Sequence, residues 1–164
     1  MKSFVTTGVA LIGIIAILLL LSPEAPQIPQ DPTTIESVVY SINNERYRLG
    51  LSQLKVNAVL SQAAKNVVVE GALKSPEDVL PYLQQTVTGE AVDALHTSLI
   101  SAGYQAMELD VLWLRQTAGD WSRTIDSAVR RNERAIHTVS FSDMGIANAT
   151  IDGAETVFII FAVK

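Results

Sequence analysis

The stretch Ile42–Leu54, INNERYRLGLSQL, decides how the rest of the chain is read. It closes an apolar-striped segment with two asparagines, a glutamate and two arginines, then places a glycine between two leucines. Upstream, Thr33-Thr34-Ile35-Glu36 has the form of a capping box. Ile35, Val38, Val39 and Ile42 follow at helical spacing, and Gly50 suits a C-terminal cap. The pattern predicts a helix from near Thr33 to just before Gly50. Asn43 and Arg46 lie three apart and share one face of it. Taken by itself, the polar cluster reads as a solvated helix end.

Downstream, Asn57 is placed to cap a second helix with Leu60, Ala63, Ala64, Val67, Val68 and Gly71 as its apolar stripe. Ser75-Pro76-Glu77-Asp78 is a further start signal, with proline at the first helical position. Another helix is expected from about Glu90 to Ala102, ended by Gly103. The period then changes. Met107–Arg115, MELDVLWLR, alternates with β-type residues and reads as a strand. Asp120 heads a helix whose apolar positions are Trp121, Ile125, Ala128 and Val129. Two strands, about Phe141–Ile151 and Thr156–Val163, are joined by Asp152-Gly153, a hairpin signal. The run VFIIFAV is apolar on both faces and predicts a central strand covered by helices on both sides.

The positive mean hydropathy is concentrated at the start. From Phe4 to Leu21 there is no charge, and about 18 residues at ~1.5 Å rise just reach the ~30 Å hydrocarbon core. Lys2 precedes the run and Glu24 follows it, which orients the remainder outside the cytoplasm. The exit, LLLLSPEAPQIP, offers no A-x-A-like cleavage site, so a signal-anchor is favoured; a cleaved signal peptide, giving a secreted protein, is the alternative. Ser22–Asp31, SPEAPQIPQD, is a stiff polar tether. The expected organisation is residues 1–22 as transmembrane anchor, 23–32 as Pro-rich tether and 33–164 as one domain.

The chain has no cysteine, which excludes disulfides, thiolate metal sites and a lipidated cysteine. Stability must come from the hydrophobic core, and about 130 residues can supply one. The formal charge is −5, and −6 without Lys2, which argues against nucleic acid as a partner.

Read together, Ile42-Asn43-Asn44-Glu45-Arg46, Gly50-Leu51, Leu54-Lys55, Asn57, Leu60 and Ala63-Ala64 resemble the first two helices of the CAP superfamily. That family, also called SCP, includes cysteine-rich secretory proteins, antigen 5, plant pathogenesis-related 1 proteins and bacterial secreted domains. Ala102-Gly103-Tyr104 is similar to its helix ending before the first strand. Arg134-Ala135-Ile136 through Phe141, Asp143, Gly145-Ile146 and Ala147 resembles the segment leading into its hairpin. The resemblance covers about Thr33 to Lys164, with a gap of fit between Gly71 and Glu90. It implies an α+β domain of three-layer α/β/α form with a small, mostly antiparallel sheet. It also implies that Asn43 and Arg46 point inward and bind loop backbone, where a buried amide or guanidinium must have partners.

The resemblance further implies a cleft with two histidines and two acidic residues, a set suited to a divalent metal. This sequence departs from it. Val67 stands where bacterial relatives place a histidine. The next histidine has no counterpart between Gly71 and Glu90. A Gly-Glu-Asn motif is reduced to Met107-Glu108-Leu109, and His-Arg-Ala becomes Glu133-Arg134-Ala135. His96 reads as a surface or packing residue. Glu108, Glu133 and His137 remain as a candidate cleft, with an ion pair between Glu133 and a neighbouring arginine as the plainer alternative. No nucleophile elbow, zinc-protease, P-loop or dinucleotide motif is present. No cofactor is therefore expected, a residual divalent metal being the lesser alternative.

These residues point to a membrane-tethered, extracytoplasmic, non-catalytic binding or envelope-associated module with a degenerate cleft. The resemblance implies lipid, cell-wall material or protein as classes of partner. The rival is a metal-dependent or hydrolytic enzyme using Glu108, Glu133 and His137, which requires those side chains to converge on one ion or water.

Overall fold

The structure is a computed structural model that describes residues 34–72, 74, 89–116, 121–131 and 134–164. The apolar run, the tether, the Ser75-Pro76 start signal, Asp120 and Glu133 lie outside the described residues. Among the described residues no helix is long and apolar enough to cross a membrane.

The elements in chain order are α1 (Thr34–Arg48), β1 (Lys55–Val56), α2 (Ala58–Ala72), α3 (Gly89–Ser101), β2 (Glu108–Arg115), α4 (Trp121–Arg130), α5 (Arg134–His137), β3 (Asp143–Ile151) and β4 (Ala154–Val163). The fold is α+β, with one mixed four-stranded sheet in the order β1-β3-β4-β2. β4 pairs antiparallel with β2 on one side and β3 on the other. The two-residue β1, which no sequence pattern marked, pairs parallel with β3 through Lys55↔Asp143 and Val56↔Met144. β3 begins two residues later than the sequence suggests, and β4 two residues earlier, at Ala154. Asp152 and Gly153 turn the hairpin with φ of 49° and 68°, the left-handed pair that matches the twist of the flanking strands.

β4 explains the layering. Val157, Ile159 and Phe161 face a core shared with Val38 and Ile42 of α1, Ile125 of α4 and Ile136 of α5. Phe158, Ile160 and Ala162 face a second core with Leu60, Ala64 and Val68 of α2 and Leu99 of α3. Successive strand residues point to opposite faces, so an unbroken apolar strand has helices on both sides.

Two local devices fix the helices against the sheet. At the end of α1, Leu51 N donates to Arg46 O at 2.8 Å and Gly50 N to Tyr47 O at 3.0 Å. Gly50 has φ +72°. This is a Schellman cap, which needs a left-handed residue at that position. On the other face, a Cβ built on Gly145 of β3 would lie 2.2 Å from the Leu60 backbone. Only glycine lets the start of α2 rest directly on the sheet. Asn57 completes that start, its Oδ1 accepting from Val59 N at 2.9 Å.

Candidate functional site

The C-terminal turn of α1 carries two buried polar side chains. Asn43 Oδ1 accepts from Leu54 N at 2.8 Å, and its Nδ2 donates to Leu54 O at 3.1 Å. Arg46 is fully buried. Its Nε donates to Ser52 O at 2.8 Å, Nη1 to Ile136 O at 3.0 Å and Thr138 O at 2.9 Å, and Nη2 to Phe141 O at 3.2 Å. Burial lowers its pKa from the usual value, yet a guanidinium stays charged in proteins. The rigid fork therefore ties the loop after α1 to the whole connection between α5 and β3. That connection follows directly on His137, the last residue of α5.

The candidate cleft residues are distributed as follows. Glu108 opens β2 and accepts from Arg134 Nη2 at the start of α5. The pair is solvent-facing, with the arginine side chain 72% and the glutamate 37% exposed. His137 ends α5 and is half-buried. Its Nδ1 is buried and has no hydrogen-bond partner among the described residues. Glu133 lies outside the described residues. Among the described residues no group of three His, Cys, Asp or Glu side chains is placed to hold a metal. His96, on α3, bonds through Nε2 to Ala106 O at 2.8 Å and tethers its helix to the segment entering β2.

Beside Glu108 lies a groove of about 730 Å³ along the outer edge of β2, between that strand, α4 and α5. Its lining among the described residues includes Arg115, Arg123, Arg131 and Arg134, with Asp110 as the one carboxylate among them. Arg131 and Arg134, both exposed, line this groove. The signal that could have found it is the spacing Arg123, Ser127, Arg131, which lines up two residues of α4 with the one just past its end. Arg131 Nη1 donates to Ser127 Oγ at 3.2 Å.

A second polar pair had no legible signal. Tyr104, just after α3, donates its hydroxyl to Asp143 Oδ2 at 2.7 Å, and both residues are buried. Burial, then the hydrogen bond and charge of Asp143, push the Tyr104 phenol well above its ordinary range. Asp143 also lines a smaller hollow of about 480 Å³ with Ser52, Lys55, Asn57 and Ser140.

No protein-family model matches the chain, and no curated protein sequence matches it. Solved structures do share its fold. A cysteine-rich secretory protein of Staphylococcus aureus superposes with a TM-score of 0.60 at 20% identity, over 84% of this chain and 41% of that one. An outer surface protein of Borrelia burgdorferi superposes with a TM-score of 0.57 at 13% identity, over 77% of this chain and 90% of that one. This chain thus spans about two fifths of the staphylococcal protein's length. At these identities the likeness is one of fold.

Proposed function

We propose that this chain is a surface-associated binding module: a CAP-like α/β/α domain, held outside the cytoplasm by its N-terminal apolar segment, with a cleft no longer built for a metal. The observation that carries the cleft reading is the contact between Arg134 and Glu108. A guanidinium on a would-be ligand carboxylate repels a divalent cation and competes for the same lone pairs. Zinc needs about three protein ligands even where one position is left open. The surface-protein role is supported by the apolar run at residues 4–21 and by the fold shared with an outer surface protein. Lipid, cell-wall material and protein remain the classes of partner, and the reading assigns no catalytic residue.

The test is thermal unfolding of the full chain in non-ionic detergent, with zinc, with calcium and with a chelator. A metal at a hundredfold over its dissociation constant stabilises by ~2.7 kcal/mol, several degrees for a domain of this size. The expected result is no shift. A shift that vanishes in His137→Ala would instead make Glu108, Glu133 and His137 a working metal centre and revive the enzyme reading. Membrane fractionation with alkaline carbonate tests the tether, and the full chain is expected in the pellet.

A further inference from the structure

We propose that the domain hangs from its membrane by the hairpin end, so that the opposite end, where the loop after α1 meets the α5–β3 connection, is displayed to the surroundings. The proposal rests on the anchor reading above and deepens it by naming the surface that a partner meets first.

The first observation is where α1 begins. Thr34, its first residue, donates its hydroxyl to Glu155 Oε1 at the start of β4, beside the Asp152-Gly153 turn. A chain arriving from the apolar run at residues 4–21 therefore enters the domain at the tip of the hairpin. From there α1 runs 15 residues, about 22 Å, and β4 runs 10 residues, about 33 Å, both toward the other end. That far end is marked by Arg46, whose fork reaches Ser52, Thr138 and Phe141. It also carries the hollow lined by Lys55, Ser140, Asp143 and Lys164.

The second observation is mechanical and electrostatic. A rigid body tethered at one end and barred from a plane keeps that end nearest the plane on average. Bringing the far end down requires the tether to run back along the domain. Residues 22–33 reach only about 40 Å when fully extended, so that arrangement forfeits most of their conformational freedom. The formal charge is −5 for the whole chain and −6 beyond Lys2, which an anionic bilayer repels as a whole. Lys55 and Lys164 at the far end pull the other way, at about 1 kcal/mol each near an anionic surface, so lipid charge is a variable of the test. On this geometry the hollow beside Asp143 opens away from the chain's own bilayer. Lipid drawn from that bilayer is then the partner class that the hollow does not face.

The experiment uses the full chain, which has no cysteine, so that a single introduced thiol is a unique label. Thr150→Cys, exposed near the turn, reports the hairpin end, and Val139→Cys, at a position 73% exposed, reports the far end. Asn148→Cys and Val56→Cys, also at exposed positions, form a second pair should circular dichroism show that either of the first misfolds. Each variant is reconstituted in phosphatidylcholine vesicles, with and without phosphatidylglycerol, and labelled from outside with an impermeant maleimide donor. Energy transfer to an acceptor on the lipid headgroups is then measured. The expected result is higher transfer from the hairpin-end label of each pair in both kinds of vesicle. Equal transfer, or higher transfer from the far-end label, would overturn the orientation. Reversal confined to phosphatidylglycerol vesicles would overturn it for anionic membranes and assign the pull to Lys55 and Lys164. A chain that does not float with the vesicles refutes the anchor and this proposal together, whereas a floating chain with reversed transfer refutes the orientation alone.

Discussion

Arg46→Ala is the most informative single change. The parent side chain is fully buried and donates to four backbone carbonyls, those of Ser52, Ile136, Thr138 and Phe141, at 2.8–3.2 Å. Each hydrogen bond to a charged group contributes about 1.5–3 kcal/mol, but the four share one side chain and do not add. Breaking a buried charged network costs ~3–5 kcal/mol, and that is the expected loss. In a domain of about 130 residues it corresponds to a fall of roughly 10–15 °C in melting temperature. It is also a large share of the ~5–15 kcal/mol that holds such a domain folded. The assay is thermal unfolding of the full chain by circular dichroism. Arg46→Lys should recover little, because one ammonium cannot span carbonyls drawn from two separate loops. Arg46→Met keeps the volume and removes the buried charge but leaves the carbonyls unpaired, so it should fall between the parent and Arg46→Ala. A loss below about 1 kcal/mol in Arg46→Ala, the range of ordinary surface substitutions, would refute the claim that this fork organises the α5–β3 connection.

Two further predictions follow from other contacts. Gly145→Ala drives a methyl into the Leu60 backbone at 2.2 Å; overpacking of this kind costs ~1–3 kcal/mol, and an unchanged urea midpoint would show that α2 does not rest on β3 as described. Tyr104 has a folded pKa raised above its ordinary value of 10.0, so its contribution is complete below the unfolded value and declines as pH rises through the folded one. The parent should therefore lose stability above about pH 10 more steeply than Tyr104→Phe; equal slopes would mean that the phenol titrates freely.

The fold was largely legible because its elements carry short-range signals. The caps at Asn57 and Gly50, the two-sided apolar run of β4 and the Asp152-Gly153 turn are each written within a few residues. β1 was not legible, since a two-residue strand has no period and exists only because β3 lies beside it. Tyr104 and Asp143 escaped for a similar reason: they are 39 residues apart and meet only in space. The groove was half legible. Arg123 on α4 and Arg131 just past its end are brought into line by spacing alone, but Arg115 joins them through the placement of β2, which local pattern does not report. Arg130, in the last turn of α4, is favourable on its own account near the negative end of the helix dipole.

Arg46 and α5 belong to one mechanical unit, and this constrains which substitutions the outer end of α5 tolerates. Arg46 binds Ile136 O and Thr138 O on either side of His137, so it fixes the end of α5. At the other end of α5, Arg134 reaches Glu108 on β2. α5 is one turn long, too short to hold its shape without such anchors. The buried anchor is worth several kcal/mol, while the solvent-facing pair contributes ~0–1 kcal/mol. Chemistry at the outer end can therefore be exchanged at little cost to folding while Arg46 stays in place. A substitution of Arg134 or Glu108 there changes the charge presented to solvent and leaves the backbone frame intact. The four-carbonyl fork of Arg46 is what makes such a substitution structurally inexpensive.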